Sequence, residues 1–353
     1  MINHGFRYFN ASDLKQISLD NITQEVLINY DTREVVSLNG FEIDGVIYYK
    51  LKDIPNYIGY NVEYVNKNTE APTFTVEQVK LEDGSYKFTI KDIVYSGNVQ
   101  GGTVSYKLHS DANWILNGDD LSFTVTNPGL YDIKFTDKAG NSTTVQKWIY
   151  VEEGLLLHLD GENNTRTGHN PNSTVWEDLS SNGNDRALIN FANNSWTNNS
   201  LIFDGIDDYL NDILISNINA ITFQIVMKND ITDIYRNIYD KYYAEIPMLW
   251  LNPNSKLEFS IYNTLEQDYN NKKIVITNAM TRDISNMYVN TEKVIEDFEH
   301  SKEIEGTYQL FNRNTAQTFK GEIYSLRIYT KYLTESEIKA NCEIDKYRFN
   351  LTE

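Results

Sequence analysis

A chain of 353 residues with a net charge of -19 has too few lysines and arginines to displace counterions along a phosphate backbone, so it excludes a nucleic-acid groove and argues against an anionic membrane surface. Tyr 25 and Phe 15 against Met 5 favour strands, because flat side chains pack well on a pleated sheet, and the one cysteine, Cys342, excludes an intrachain disulfide. At about 150 residues per domain the length predicts two or three domains, and the acidity reads first as solubility through self-repulsion.

Residues 1–68 read as a small β-rich unit for attachment or oligomerisation. The segments 25–30, 34–38 and 45–51 are strand-like, and Asn39-Gly40, which tolerates positive φ, predicts a hairpin between the last two. Pro55 and the polar run 66–72 mark a linker. Residues 1–10 show no apolar signal-peptide core and no later segment reads as a membrane span, so the expectation is synthesis in the cytoplasm without an export signal of its own and no membrane insertion.

Residues 70–152 show strands at 85–90, 103–108, 121–125 and 129–136. In the last, Tyr131, Ile133 and Phe135 alternate with Asp132, Lys134 and Thr136, as in a half-buried antiparallel strand. The run 129–141, with its turn at Asp137, Ala139, Gly140 and Asn141, followed by 143–150, resembles the final hairpin of bacterial immunoglobulin-like domains. The resemblance implies a sandwich that serves as a spacer.

Residues 154–353 form the third unit. Ile221, Phe223, Ile225 and Met227 alternate with polar residues, and so do Tyr324, Leu326 and Ile328, which predicts one apolar face on each strand. Near the end Thr334 and Glu337 make a capping box, with Leu333 and Ile338 placed as a hydrophobic staple and Cys342 one turn further along the buried stripe.

Four blocks in this unit carry a resemblance. The first is 156–161, which reads Leu-Leu-His-Leu-Asp-Gly. Next come the turn residues Trp176, Asp178, Leu179, Ser180, Asn182, Gly183, Asn184 and Asp185, and then Phe203, Asp204, Gly205, Asp207, Asp208 and Tyr209. The closing set is Phe319, Gly321, Ile323, Arg327, Ile328, Tyr329 and Leu333. In this order they resemble the laminin-G-like, concanavalin A-like jelly rolls, with Ser181 where a glycine is usual. The implied fold class is all-β: a small N-terminal β-rich unit, an immunoglobulin-like β-sandwich, and a C-terminal jelly roll with one short helix. Such jelly rolls commonly bind glycans. The order of units also resembles phage tail receptor-binding and minor structural proteins. That implies a virion tail-tip location, a host surface polysaccharide as partner, attachment to tail or baseplate proteins, and a homo-oligomer. A bacterial cell-surface adhesin or glycan-binding module and a glycan depolymerase are the alternatives.

For sugar binding the candidate side chains are Trp250, Tyr262, Arg282, Asn312 and Arg313, aromatics to stack on a pyranose with polar groups to bond its hydroxyls. Tyr235, Tyr239, Tyr242 and Tyr243 form a second aromatic group. The resemblance admits a calcium ion at Asp160, Asp178 and Asn184, but no contiguous calcium-loop motif accompanies them, and the reading of the residues is Asx-turns without metal. Asp204, Asp207 and Asp208 offer paired carboxylates, the minimum for a glycosidase, yet their spacing reads as a turn. The five histidines are scattered, with His158 expected in the core or on a sheet face, and no GxSxG, HExxH or P-loop pattern occurs, so the expectation is a non-enzyme without cofactor.

Overall fold

The computed structural model describes residues 70–351 apart from 96–99, 139, 231–233, 242–247, 255, 260–262, 266 and 313–316, and within 1–69 it describes backbone strands only. Two compact units emerge, Met1–Trp148 and Ile149–Glu353. The protein is all-β with one helix, Glu335–Phe349, among the described residues, and that helix is not apolar or long enough to cross a membrane.

In the first unit Gln24–Asn29 pairs antiparallel with Val35–Ser37 and with Tyr60–Val65, close to the strands expected there. The hairpin expected at Asn39-Gly40 falls on residues outside those described. Val35–Ser37 and Phe41–Ile43 belong to different sheets, and Phe41–Ile43 pairs instead with Val46–Lys50.

The rest of this unit is a two-sheet sandwich. One sheet orders Ile115–Gly118, Gly102–Leu108, Gly129–Asp137 and Ser142–Ile149, and the other orders Ser122–Val125, Tyr86–Val94 and Thr73–Lys80. Phe88, Val104, Ile133 and Phe135 are fully buried between them. The Tyr131 hydroxyl donates to the Asn127 carbonyl at 2.8 Å, a bond of the type that pins a corner in immunoglobulin-like sandwiches. Asp137 accepts from the Asn141 backbone N–H at 2.9 Å and so ties the turn foreseen there.

The second unit is a larger sandwich. Its first sheet runs Leu155–Asp160, Lys320–Tyr329, Ala220–Asn229, Lys273–Thr281, Ile284–Val289, Glu292–Glu299, with Leu201–Asp204 also on Lys320–Tyr329. The second sheet runs Val175–Trp176, Arg186–Ile189, Tyr209–Ile215, Gly306–Leu310, Arg236–Lys241, Met248–Leu251, Leu257–Phe259, Asn263–Thr264. Ile221, Phe223, Ile225 and Met227 all face the core between the sheets, as their alternation predicts. Leu326 and Ile328 do too, but Tyr324 does not. Val226 opposes Ser325 while Met227 opposes Ile323, so Tyr324 is the extra residue of a bulge and turns to the outer face with Val226, Cys342 and Phe349.

That outer face is covered by the helix. Thr334 caps it with a complete capping box, and Leu333 and Ile338 share one buried cluster. Under it lies a buried polar network. Arg327 pairs with Asp345, its Nε donates to Gln224 Oε1 at 3.2 Å, and Asn341 donates to the same oxygen at 3.0 Å. Arg348 pairs with Asp160. His158 is buried with its ring edge-on to Tyr150 at 5.3 Å, and burial pulls its pKa down, which keeps it neutral.

Candidate functional site

Between Asp160 and Asp204 the chain forms only the short strands Val175–Trp176, Arg186–Ile189 and Leu201–Asp204, joined by loops rich in short polar residues that carry a few aromatics. Trp176 is fully buried and its indole N–H donates to the Asp160 carbonyl at 3.0 Å. Trp196 packs edge-on against it, with ring centroids 5.0 Å apart, and donates its own indole N–H to the Ser173 carbonyl at 2.8 Å. His169 meets the same ring at 6.1 Å. Phe191 packs edge-on against the core ring of Phe203 at 4.9 Å. These contacts lock the two loops 170–174 and 190–196 onto the core, since a buried indole fixes position through both packing and its N–H.

Between the two loops lies an open cleft of about 170 Å³. Leu188, Phe191 and Trp196 supply its apolar wall, and Asn172, Thr174 and Asn193 its polar rim. The loops hold shape through their own short bonds: Ser195 Oγ donates to the Ala192 carbonyl at 2.9 Å and Ser173 Oγ to the Val175 carbonyl at 2.6 Å. The Asn172, Thr174 and Asn193 side chains, by contrast, make no hydrogen bond among the described residues and are exposed. Free amide and hydroxyl groups beside an aromatic wall can bond hydroxyls while the wall meets C–H groups, which is the chemistry of a sugar ring.

Of the sequence-predicted sugar ligands, Tyr262 and Arg313 lie outside the described residues, as do Tyr242 and Tyr243 of the aromatic group. Trp250 is buried on Met248–Leu251 opposite Asn237, with Tyr235 edge-on at 5.9 Å. Asn312 follows Phe311, whose N–H donates to the carbonyl of Ile238, next along the strand from Asn237, the partner of Trp250. Arg282 sits elsewhere. It is exposed and paired with Glu303 at 2.9 Å, and the carbonyl of Glu303 receives Lys241 at the other end of that strand. Tyr239 is fully buried, stacked on Phe223 at 4.1 Å, and serves the core.

Two of the candidate calcium ligands, Asp160 and Asp178, spend their carboxylate oxygens on the protein, and the third, Asn184, is tied through its amide nitrogen. Asp178 accepts from the backbone N–H groups of His158, Ser180 and Asn184, each at 2.9 Å, and from Ser180 Oγ at 2.8 Å. Asp160 is held by Arg348, and Asn184 Nδ2 donates to the Leu156 carbonyl at 2.9 Å. The block 176–185 therefore acts as a staple on the first strand of the jelly roll.

Asp204, Asp207 and Asp208 bring carboxylate oxygens within 4.8 Å of one another. Asp204 accepts from the Ile206 N–H at 2.7 Å, and Asp208 accepts from the Asp204 N–H at 2.9 Å. Arg236 bonds the carbonyl of Gly205, whose φ of +76° suits glycine. Asp208 is buried, which pushes its carboxyl up to about 6, and the charges of Asp204 and Asp207 act in the same direction.

The cleft residues were not among the sequence candidates. A signal existed: Trp196 is flanked by Asn193, Asn194 and Ser195 on one side and by Thr197, Asn198 and Asn199 on the other, an aromatic in an asparagine-rich loop rather than in a strand.

No family model matches the chain, and no curated protein matches it in sequence. Among solved structures it is similar to Trypanosoma rangeli sialidase, with TM-score 0.45 and 11% identity over 92% of this chain and 66% of that one. It is similar also to the botulinum neurotoxin serotype D binding domain, with TM-score 0.41 and 16% identity over 56% of this chain and 52% of that one. A third is domain 4 of AbnA, a GH43 extracellular arabinanase from Geobacillus stearothermophilus, in complex with arabinotriose, with TM-score 0.38 and 15% identity over 54% of this chain and 98% of that one. The chain spans 54% and 62% of the length of two further T. rangeli sialidase structures.

Proposed function

We propose that this protein is a non-catalytic carbohydrate-binding protein whose C-terminal jelly roll holds a glycan in the cleft between the 170–174 and 190–196 loops. The observation that carries this reading is the pairing of an aromatic wall, Phe191 and Trp196, with the free polar side chains of Asn172, Thr174 and Asn193. The finer reading is a receptor-binding protein of a phage tail that meets a host surface polysaccharide. It rests on the resemblance of the unit order to such proteins and on the glycan site; residues 1–68 would then attach to the tail or join copies of the chain, and several copies would supply avidity to a weak single site.

The depolymerase alternative has one observation in its favour, the carboxylates of Asp204, Asp207 and Asp208 with one pKa raised. A glycosidase, however, flanks the scissile bond with carboxyls on opposite sides. Here all three belong to one five-residue turn, and Asp208 is only 3% exposed. The expected result is that the protein binds host polysaccharide without releasing reducing ends; their release, abolished by Asp208→Asn, would establish the enzyme.

The deciding experiment is binding of the labelled full chain to intact candidate host cells before and after their surface polysaccharides are stripped. Loss of binding on stripping is expected. Binding that survives stripping would refute a glycan receptor.

A further inference from the structure

We infer that the cleft takes an uncharged sugar unit, one ring at a time, and rejects sialylated or uronic-acid glycans. The inference rests on the carbohydrate reading above and adds the ligand class. None of the residues lining the cleft carries a charge, and its free polar groups are the two amides of Asn172 and Asn193 and the hydroxyl of Thr174. Amides and hydroxyls match sugar hydroxyls and acetamido groups, which are neutral donors and acceptors.

A carboxylate entering such a cleft gives up solvation and meets no cation. An unpaired charge is the costliest group to desolvate, so recognition of an acidic sugar calls for an arginine or lysine at the wall. Between residues 161 and 200 the arginines and lysines are Arg166 and Arg186. Arg166 is tied to Glu177 and Asp185. Arg186 donates to the carbonyls of Asn184 and Asp212. The acids of the same stretch, Glu162, Glu177, Asp178 and Asp185, outnumber them, and the whole chain stands at -19, so the surrounding field repels an anion as well. The cleft, at about 170 Å³, is smaller than the ~300–1,000 Å³ of sites that enclose a drug-sized ligand. That size fits a single terminal or branch residue better than an extended chain.

The test is a glycan array with the full chain, printed with neutral oligosaccharides and matched partners bearing sialic or glucuronic acid, followed by calorimetry on the neutral binders. Neutral sugars should bind, and the acidic partner of each should bind at least about tenfold more weakly. Asn172→Ala and Asn193→Ala, both at exposed positions, should each weaken the neutral ligand by about five- to tenfold with the melting temperature unchanged. Asn193→Lys should narrow the gap between neutral and acidic partners. Acidic glycans bound as tightly as neutral ones, with affinity falling as salt rises, would overturn the neutral class while leaving carbohydrate binding in place. Neutral binding untouched by both alanine variants would remove the site from this cleft, and no binding to any printed sugar would sink the carbohydrate reading itself.

Discussion

Asp208 is a carboxylate whose surroundings oppose its charge. Burial comes first, the neighbouring acids add to it, and the carboxyl titrates near 6 in the folded chain against about 3.9 when unfolded. A raised carboxyl pKa means the folded state binds the proton more tightly, so the penalty is absent below about pH 4 and complete above about pH 6. Asp208→Asn should therefore stabilise the protein by about 2 kcal/mol at pH 7.5 and by nothing at pH 4, read from denaturant unfolding at the two pH values. Asp345 stands in the opposite position, because it answers the fully buried guanidinium of Arg327. Asp345→Asn would leave that charge unpaired in the interior and should cost about 3–5 kcal/mol in the same assay. An unchanged midpoint would mean that water reaches Arg327.

At the scale of elements, Gly321 decides whether three strands meet. Its φ is +140°, and a Cβ there would lie 2.2 Å from the Lys228 carbonyl oxygen and 2.9 Å from the Asn229 Cα on the neighbouring strand. Gly321→Ala should cost about 3 kcal/mol or prevent soluble expression, through backbone strain and clash together. A variant of wild-type stability would place the strand pairing elsewhere. The helix was legible from Thr334 and Glu337, since a capping box is a local pattern, and Thr334→Ala should cost about 1 kcal/mol. The bulge at Tyr324 was not legible. Alternation puts Tyr324 with Leu326 and Ile328, and only pairing with Ala220–Asn229 reveals the extra residue that turns it outward.

For the whole molecule, acid should be the effective denaturant of the second unit. Burial holds His158 below its ordinary pKa, so the unfolded chain takes the proton first and stability begins to fall as pH drops below about 6.5. Burial alone would raise Asp160, but His158 and Arg348 beside it hold its carboxyl well below the usual carboxylate range. The stability it contributes is present at neutral pH and is lost as pH falls below about 4. Thermal unfolding scanned from pH 7.5 to 3 should show melting temperature falling in two stages, the first removed by His158→Gln if that variant folds as well as the parent at pH 7.5. Because relief of the Asp208 charge opposes this first stage between about pH 6 and 4, the scan is made in the Asp208→Asn background, where a flat profile between pH 7 and 5 would contradict the burial of a neutral imidazole.

Composition and alternation determined the fold class by themselves, because the apolar faces of strands such as Ala220–Asn229 repeat every second residue, and a capping box or an Asp-Asn turn is written within four residues. What they left undecided depended on partners far along the chain. Gln224 and Arg327 stand on the polar side of alternating strands, yet both are fully buried, because the helix Glu335–Phe349 brings Asn341 and Asp345 over them. The cleft is of the same kind. Trp196 and Phe191 are unremarked aromatics in a polar loop until Trp176 and Phe203 fix their rings, and only then do Asn172, Thr174 and Asn193 line one concave surface. A binding surface is a product of packing between distant segments, and spacing along the chain carries no record of it.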